Sequence, residues 1–202
     1  MLRRMLEPPD SDPVQVLLAW HAEAKAAAVR EPDAMTLATA SPEGRPSARI
    51  VLFKGVDAGG ALCWVTNYHS KKARELSANP FAELVFFWPE LQRQVRVSGR
   101  VEEASAAASD AYFRSRPRES QLGAWASDQS EVIASRAELE RRLAEVTARF
   151  DGGPVERPPH WGIFRLLPER VELWIAGAHR LHDRFVYTRH ATGGWTSVRI
   201  CP

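Results

Sequence analysis

The hydrophobic pattern divides the chain into a helical beginning, a run of short strands, a helical middle and a second run of strands. After a Pro/Asp-rich start at residues 7–13, residues 14–29 have helical spacing. Val14, Leu17, Leu18 and Ala22 give that helix one apolar face, and Glu31-Pro32 ends it. From Met35 the pattern shortens to strands, predicted at 35–40, 47–54, 61–66 and 81–88. Ser-Pro-Glu-Gly-Arg-Pro turns the chain between the first two, and a short helix at 71–78 precedes the fourth. Residues 94–101 alternate cleanly, with Val95, Val97 and Val101 on one face and Gln94, Arg96, Ser98 and Arg100 on the other.

In the middle, Ser105 is placed to cap a helix running to about residue 113, and an Arg-rich turn follows at 114–118. Ser135-Arg-Ala-Glu138 fits a capping box, and Leu139, Leu143, Val146 and Phe150 mark the apolar face of the helix behind it. Strands return at 161–167, 170–174, 184–189 and 195–200. Short strands at hairpin spacing with helices clustered between them predict a mainly β, α+β fold: an antiparallel barrel carrying helices on its outside. Nothing marks a linker, so residues 1–202 are expected to form one domain, with residues 1–32 an N-terminal arm and helix.

Composition narrows the function classes. With 45% hydrophobic and 26% charged residues, the 202-residue chain is ordinary for a globular protein. Lys+Arg 27 against Asp+Glu 25 gives +2, too balanced to advertise nucleic acid or an anionic membrane, so any anion-binding surface is local. Two cysteines, Cys63 and Cys201, make neither a disulfide framework nor a zinc cluster. No apolar run approaches 18 residues, and the expectation is a cytoplasmic protein that does not span a membrane. Lysine is scarce, and three of the four (Lys54, Lys71 and Lys72) fall within 19 residues.

Four places can carry chemistry. Ser70-Lys71-Lys72 puts two cations in a first helical turn, where they oppose the helix dipole by about 0.3–1 kcal/mol each when exposed. Either they are simply solvated, or an anion shares that end with the backbone N–H groups, with Thr66 adding a hydroxyl. Arg49 and Lys54 bracket an apolar strand, but strict alternation sends them to opposite faces unless a bulge or a second chain intervenes. Tyr112, Arg116 and Ser120 together suit a phosphate, through bidentate guanidinium and hydroxyl bonds; the alternative is a solvated arginine loop. Trp125, Gln129 and Ser130 follow with hydrogen-bonding side chains. Finally, Trp174, Arg180, His182 and Arg184 gather near a strand end, suited to a flat, anionic, aromatic ligand. His179 and His182 lack evident acidic or cysteine partners, so no metal is expected. The chain has no GxGxxG and no P-loop.

In this order these places resemble the pyridoxine/pyridoxamine 5′-phosphate oxidase family. The most specific pieces are Arg49-Ile-Val-Leu-Phe-Lys54, Thr66-Asn-Tyr-His-Ser-Lys-Lys72, Arg93-Gln94-Val95, the run from Ser115 to Trp125, Gln129-Ser130 and Arg180-Leu-His-Asp-Arg184. The chain departs from the family pattern at Val65, Lys71, Ile163 and Ile175. The resemblance implies an FMN-binding split β-barrel working as a homodimer, with each flavin at the subunit interface. It implies FMN contacts from Arg49, Ile50, Lys54, Thr66, Lys71, Lys72, Gln94, Gln129, Ser130, Trp174 and Arg184. Arg49, Lys71 and Lys72 would face the flavin phosphate. Lys54, Tyr112, Arg116 and Ser120 would hold the substrate phosphate, and Arg180 and His182 would act catalytically over the pyridine ring. The implied reaction is oxidation of pyridoxamine or pyridoxine 5′-phosphate by dioxygen to pyridoxal 5′-phosphate and peroxide. A sister oxidase of the phenazine-biosynthesis type and a non-catalytic FMN or pyridoxal-phosphate binder are the competing expectations.

Overall fold

The computed structural model describes residues 12–202, so the start of the N-terminal arm lies outside the described residues. The first helix, α1 (Pro13–Ala26), begins where Asp12 accepts from the Val14 N–H at 2.9 Å and Pro13 supplies a first-turn residue that needs no N–H partner. Its buried face is Val14, Leu17, Trp20, His21 and Ala24. Ala22, expected on that face, is exposed, while Trp20 and His21 are buried there and Leu18 packs against the core partly buried.

Eight strands follow, all paired antiparallel: β1 (Ala34–Ala40), β2 (Pro46–Leu52), β3 (Leu62–Asn67), β4 (Phe81–Trp88), β5 (Arg93–Glu103), β6 (Trp161–Ile175), β7 (Asp183–Arg189) and β8 (Trp195–Arg199). The sheet runs β2-β1-β4-β5-β6-β7-β8, with β3 added to β6. The 15-residue β6 explains how both fit. One of its edges pairs with β5 along residues 164–175, while the other takes β3 along residues 161–166 and β7 along residues 170–175. The hand-over falls at Pro168, which has no N–H for the ladder, and the β5 register shifts between Ser98 and Gly99 beside it. Gly99 is required there, since a Cβ would sit 1.9 Å from the Leu167 carbonyl oxygen. The two strands expected at 161–167 and 170–174 are therefore one bent strand. Beyond β2, the Lys54 N–H donates to Cys63 and the Cys63 N–H donates to Gly55, so β3 also touches the chain leaving β2 and the barrel closes.

Inward residues of the barrel, among them Leu37, Trp64, Leu84, Phe86, Val95, Val97, Leu166 and Leu173, form one buried core with α1. Fully burying each such side chain contributes about 1.5–3 kcal/mol. The helices occupy the connections: α2 (Lys71–Ala78), α3 (Ala106–Ser115), α4 (Arg118–Ala126) and α5 (Arg136–Arg149). Ser105 caps α3, accepting from the Ala108 N–H, and Ser135 caps α5, accepting from the Glu138 N–H. The expected box at α5 is only half made, because Arg141 and Arg142 hold the Glu138 carboxylate. A second core of Phe113, Leu122, Val155 and Trp161 packs α3 and α4 on the start of β6, with Val146 and Phe150 against it. The arginine-rich segment is not one extended turn: α3 stops at Ser115, the chain bends at Arg116-Pro117, and α4 begins at Arg118. No helix among the described residues is long and apolar enough to cross a membrane.

Candidate active site

A cavity of about 530 Å³ opens between β2, β3, the start of α2 and the α3–α4 bend. Arg49 and Ile50 reach it from β2, Val65 and Thr66 from the end of β3, and Lys72 from α2. Tyr112, Arg116 and Ser120 face it from the bend. Lys54 lines it too, although alternation put Lys54 and Arg49 on opposite faces. The reason is that β2 is an edge strand and the cavity runs along it, taking Arg49 and Val51 from one face and Ile50, Leu52 and Lys54 from the other. Four cations thus line one cavity, and no carboxylate does among the described residues. Such a wall attracts an anion with at least two charges.

Each cation is held differently. Lys72 is buried, and its ammonium donates to Gln129 Oε1 at 2.7 Å, Thr66 Oγ1 at 3.0 Å and Ser70 Oγ at 3.1 Å, all neutral oxygens. Burial, and secondarily the nearby Arg49 charge, pushes its pKa down to about 8. The Arg49 guanidinium donates to Leu37 O, Thr39 Oγ1, Ser47 Oγ and Glu75 Oε2. Arg116 stacks 4.4 Å above Trp161 and 5.6 Å from Phe113, and its buried Nη1 has no hydrogen-bond partner among the described residues. Burial holds this guanidinium below its ordinary pKa. A buried arginine nitrogen without an acceptor at a cavity wall is what an absent anion would leave behind. A neighbouring cavity of about 380 Å³ shares Thr66, Arg116, Ser120 and Gln129 with the first.

Several expected site residues lie elsewhere. Lys71, expected beside Lys72, does not line the cavity: its side chain is 58% exposed and its ammonium pairs with Glu75 one turn on. Ser70 stands at the N-cap position of α2 without capping it; its hydroxyl accepts from Lys72 instead. Ser130, at φ 77°, adjoins Gln129 but does not line the cavity. Gln94, Trp174, Arg180, His182 and Arg184 do not line the cavity, and all but Arg180 form a second cluster. Gln94, Trp174 and Arg184 are cross-strand neighbours on β5, β6 and β7. The His182 ring lies 4.7 Å from that of Trp174, and its Nδ1 accepts from the Gly177 N–H, which leaves Nε2 as the protonated nitrogen of the neutral ring. Arg180 is exposed, with His179 and Arg180 both in the left-handed region at φ 55° and 64°. Arg184 donates to the buried Glu172 at 2.7 and 2.9 Å and to Cys201 O at 3.1 Å. Trp174 stands 11 residues along β6 from Ile163, the partner of Val65, a separation of roughly 35 Å if the strand were straight.

Sequence reasoning missed Glu75, Thr39 and Ser47, which hold Arg49 from behind. The one available signal was the four-residue spacing of Lys71 and Glu75.

An antiparallel barrel with a cation-lined cavity on its flank suits a phosphorylated ligand. Residues 21–150 match the family model described as pyridoxamine 5′-phosphate oxidase, and residues 161–202 match the pyridoxine 5′-phosphate oxidase C-terminal dimerisation region. The chain is 55% identical over 193 residues to the pyridoxine/pyridoxamine 5′-phosphate oxidase of Rubrobacter xylanophilus, covering 96% of this chain and 88% of that one. It is also 55% identical over 192 residues to that of Methylibium petroleiphilum, covering 95% and 89%. PhzG from Burkholderia lata 383, solved with tetrahydrophenazine-1-carboxylic acid, superposes with a TM-score of 0.90 at 33% identity, covering 97% of this chain and 95% of that one. This chain belongs to the pyridoxine/pyridoxamine 5′-phosphate oxidase family, whose members are FMN-dependent oxidoreductases. The four cations, and the Arg116 nitrogen without a partner among the described residues, fit the phosphate of such a cofactor.

Proposed function

We propose that this protein oxidises pyridoxamine 5′-phosphate or pyridoxine 5′-phosphate with dioxygen to pyridoxal 5′-phosphate, releasing hydrogen peroxide, and ammonia from the amine after water adds. The observation that carries the reading is the cavity with four cations and no acid among its described lining residues. Two phosphate dianions balance four cations: a flavin phosphate beside Arg49 and Lys72, and a substrate phosphate beside Lys54 and Arg116. Thr66 and Gln129 serve the cofactor end, with Ile50 against the flavin; Tyr112 and Ser120 add hydroxyls at the substrate end. Bound FMN would supply the hydride acceptor and the two-electron path to dioxygen.

The second cluster, most of it within the stretch that matches a dimerisation region, supports a homodimer. In this reading the cluster of one copy completes the cavity of the other. Gln94, Trp174 and Arg184 then meet the flavin from the far side, together with Ser130. Arg180 orients the carbon that loses hydride, where small misplacement is expensive, and the His182 Nε2–H donates to the substrate ring. Lys71 acts at a distance, through Glu75. The reading includes a cytoplasmic location.

The high structural similarity to PhzG supports a second reading, a sister oxidase whose substrate has no phosphate. The test is anaerobic titration of the FMN-loaded protein. Pyridoxamine 5′-phosphate is expected to bleach the yellow flavin, while pyridoxamine without its phosphate fails to do so at equal concentration. Bleaching only by unphosphorylated substrates would favour the sister activity. No bleaching by any substrate would leave a binding protein.

A further inference from the structure

Behind the cavity wall lies a carboxylate that does not itself line the cavity. Glu75, 7% exposed, projects from α2 toward the roots of β1 and β2. Its Oε2 accepts from Thr39 Oγ1 at 2.6 Å and Ser47 Oγ at 2.7 Å, and from Arg49 Nη2 at 3.3 Å, while Oε1 takes the Lys71 ammonium. The same two hydroxyls accept from Arg49, Thr39 from Nη1 and Ser47 from Nη2, each at 2.6 Å. Direction in this network is forced. A guanidinium only donates and an ionised carboxylate only accepts, so each hydroxyl must accept a hydrogen bond from Arg49 and donate one to Glu75. Three elements are thereby tied to one guanidinium, with four of its five N–H groups engaged and the Nε–H left over among the described residues.

We infer that Glu75 is a positioning residue: through the Thr39 and Ser47 hydroxyls it fixes the Arg49 guanidinium at the cavity wall, so that the cofactor phosphate meets a preorganised cation. This rests on the proposed FMN site. The inference has an opposite sign from simple charge counting. Removing an anion from beside a cationic wall would, by Coulomb attraction alone, tighten phosphate binding. Loss of preorganisation loosens it.

The experiment measures dissociation constants of FMN and of riboflavin, which lacks the phosphate, by quenching of flavin fluorescence. The proteins are wild type, Glu75→Ala, a Thr39→Val/Ser47→Ala pair that keeps the carboxylate, and each change in an Arg49→Ala background. Melting curves of the apo proteins check folding, and the hydroxyl pair carries the test if Glu75→Ala does not fold. Expected is FMN binding weakened by roughly tenfold or more in both sets with riboflavin unchanged, and no further loss once Arg49 is absent. Unchanged or tighter FMN binding would overturn the assignment. So would a loss shared by riboflavin, or one that persists undiminished without Arg49. If wild type takes up no FMN, the cofactor reading falls and this assignment falls with it; if wild type binds FMN and the variants match it, only the assignment falls.

Discussion

Lys72 is held where a free protein gains nothing from it, and replacing it separates stability from function. Its ammonium is buried, meets only neutral oxygens and feels Arg49, so its pKa falls from 10.5 to about 8. That difference, 10.5 less about 8, corresponds to a ceiling of about 3 kcal/mol of lost apo stability at pH 7, at 1.36 kcal/mol per power of ten. Lys72→Met removes the penalty but also three hydrogen bonds, so a net gain of about 1 kcal/mol is expected, or about 2–4 °C in Tm for a chain of this size. The pH dependence has a definite sign. A lysine whose folded pKa is depressed leaves the folded state with fewer bound protons between about 8 and 10.5, so wild-type apo stability rises with pH across that window. Below about pH 8 the penalty is fully present. The methionine variant should lack this rise and bind FMN at least ~100-fold more weakly. Calorimetry of apo protein from pH 7 to 10, with flavin titration at pH 7, makes the check. A lower apo Tm in the variant, or FMN binding equal to wild type, would refute the view that this cation is strained for the sake of an anion.

Other expectations follow from single contacts. Arg116→Met should raise KM for the phosphorylated substrate by about 10- to 100-fold in steady-state assays, with flavin content unchanged, because one charge-assisted pair is lost. Arg180→Ala should lower kcat by at least ~100-fold with FMN retained, since this exposed residue is assigned to orienting the reacting carbon. Mixing those two variants after co-refolding should restore, at substrate well below KM, about one quarter of wild-type activity, because half the dimers are mixed and one of their two sites is intact; no recovery would mean that each chain builds its whole site alone. Gly99→Ala should cost at least ~3 kcal/mol in chemical denaturation, because the new methyl collides with the Leu167 backbone at the β6 hand-over.

Local pattern reached a good part of the fold. The fourth strand and the helix before it have the boundaries that the sequence predicts, 81–88 and 71–78, because both are strongly patterned and bounded by Ser70 and Asn79-Pro80. Helix α4 escaped notice: Gly123 lowers its propensity and the preceding arginines read as a solvated turn. Pro168 made one strand look like two, since its lost N–H interrupts the pattern while β6 continues on its other edge. The candidate site was legible as separate residues, not as an arrangement. That Lys54 joins Arg49 depends on β2 lying at the edge of the sheet, and that Lys71 turns away depends on Glu75, whose other partners are 26 to 36 residues distant in sequence. The separation of the cavity from the Trp174 cluster is a property of the whole sheet, invisible to any short window.

The account's central claim, that the cation-lined cavity serves oxidation of a phosphorylated pyridine, is tested most directly by aerobic incubation of the FMN-loaded protein with pyridoxamine 5′-phosphate, following aldehyde and peroxide together. The account predicts pyridoxal 5′-phosphate and hydrogen peroxide in equal amounts. FMN bound with neither product formed would contradict it.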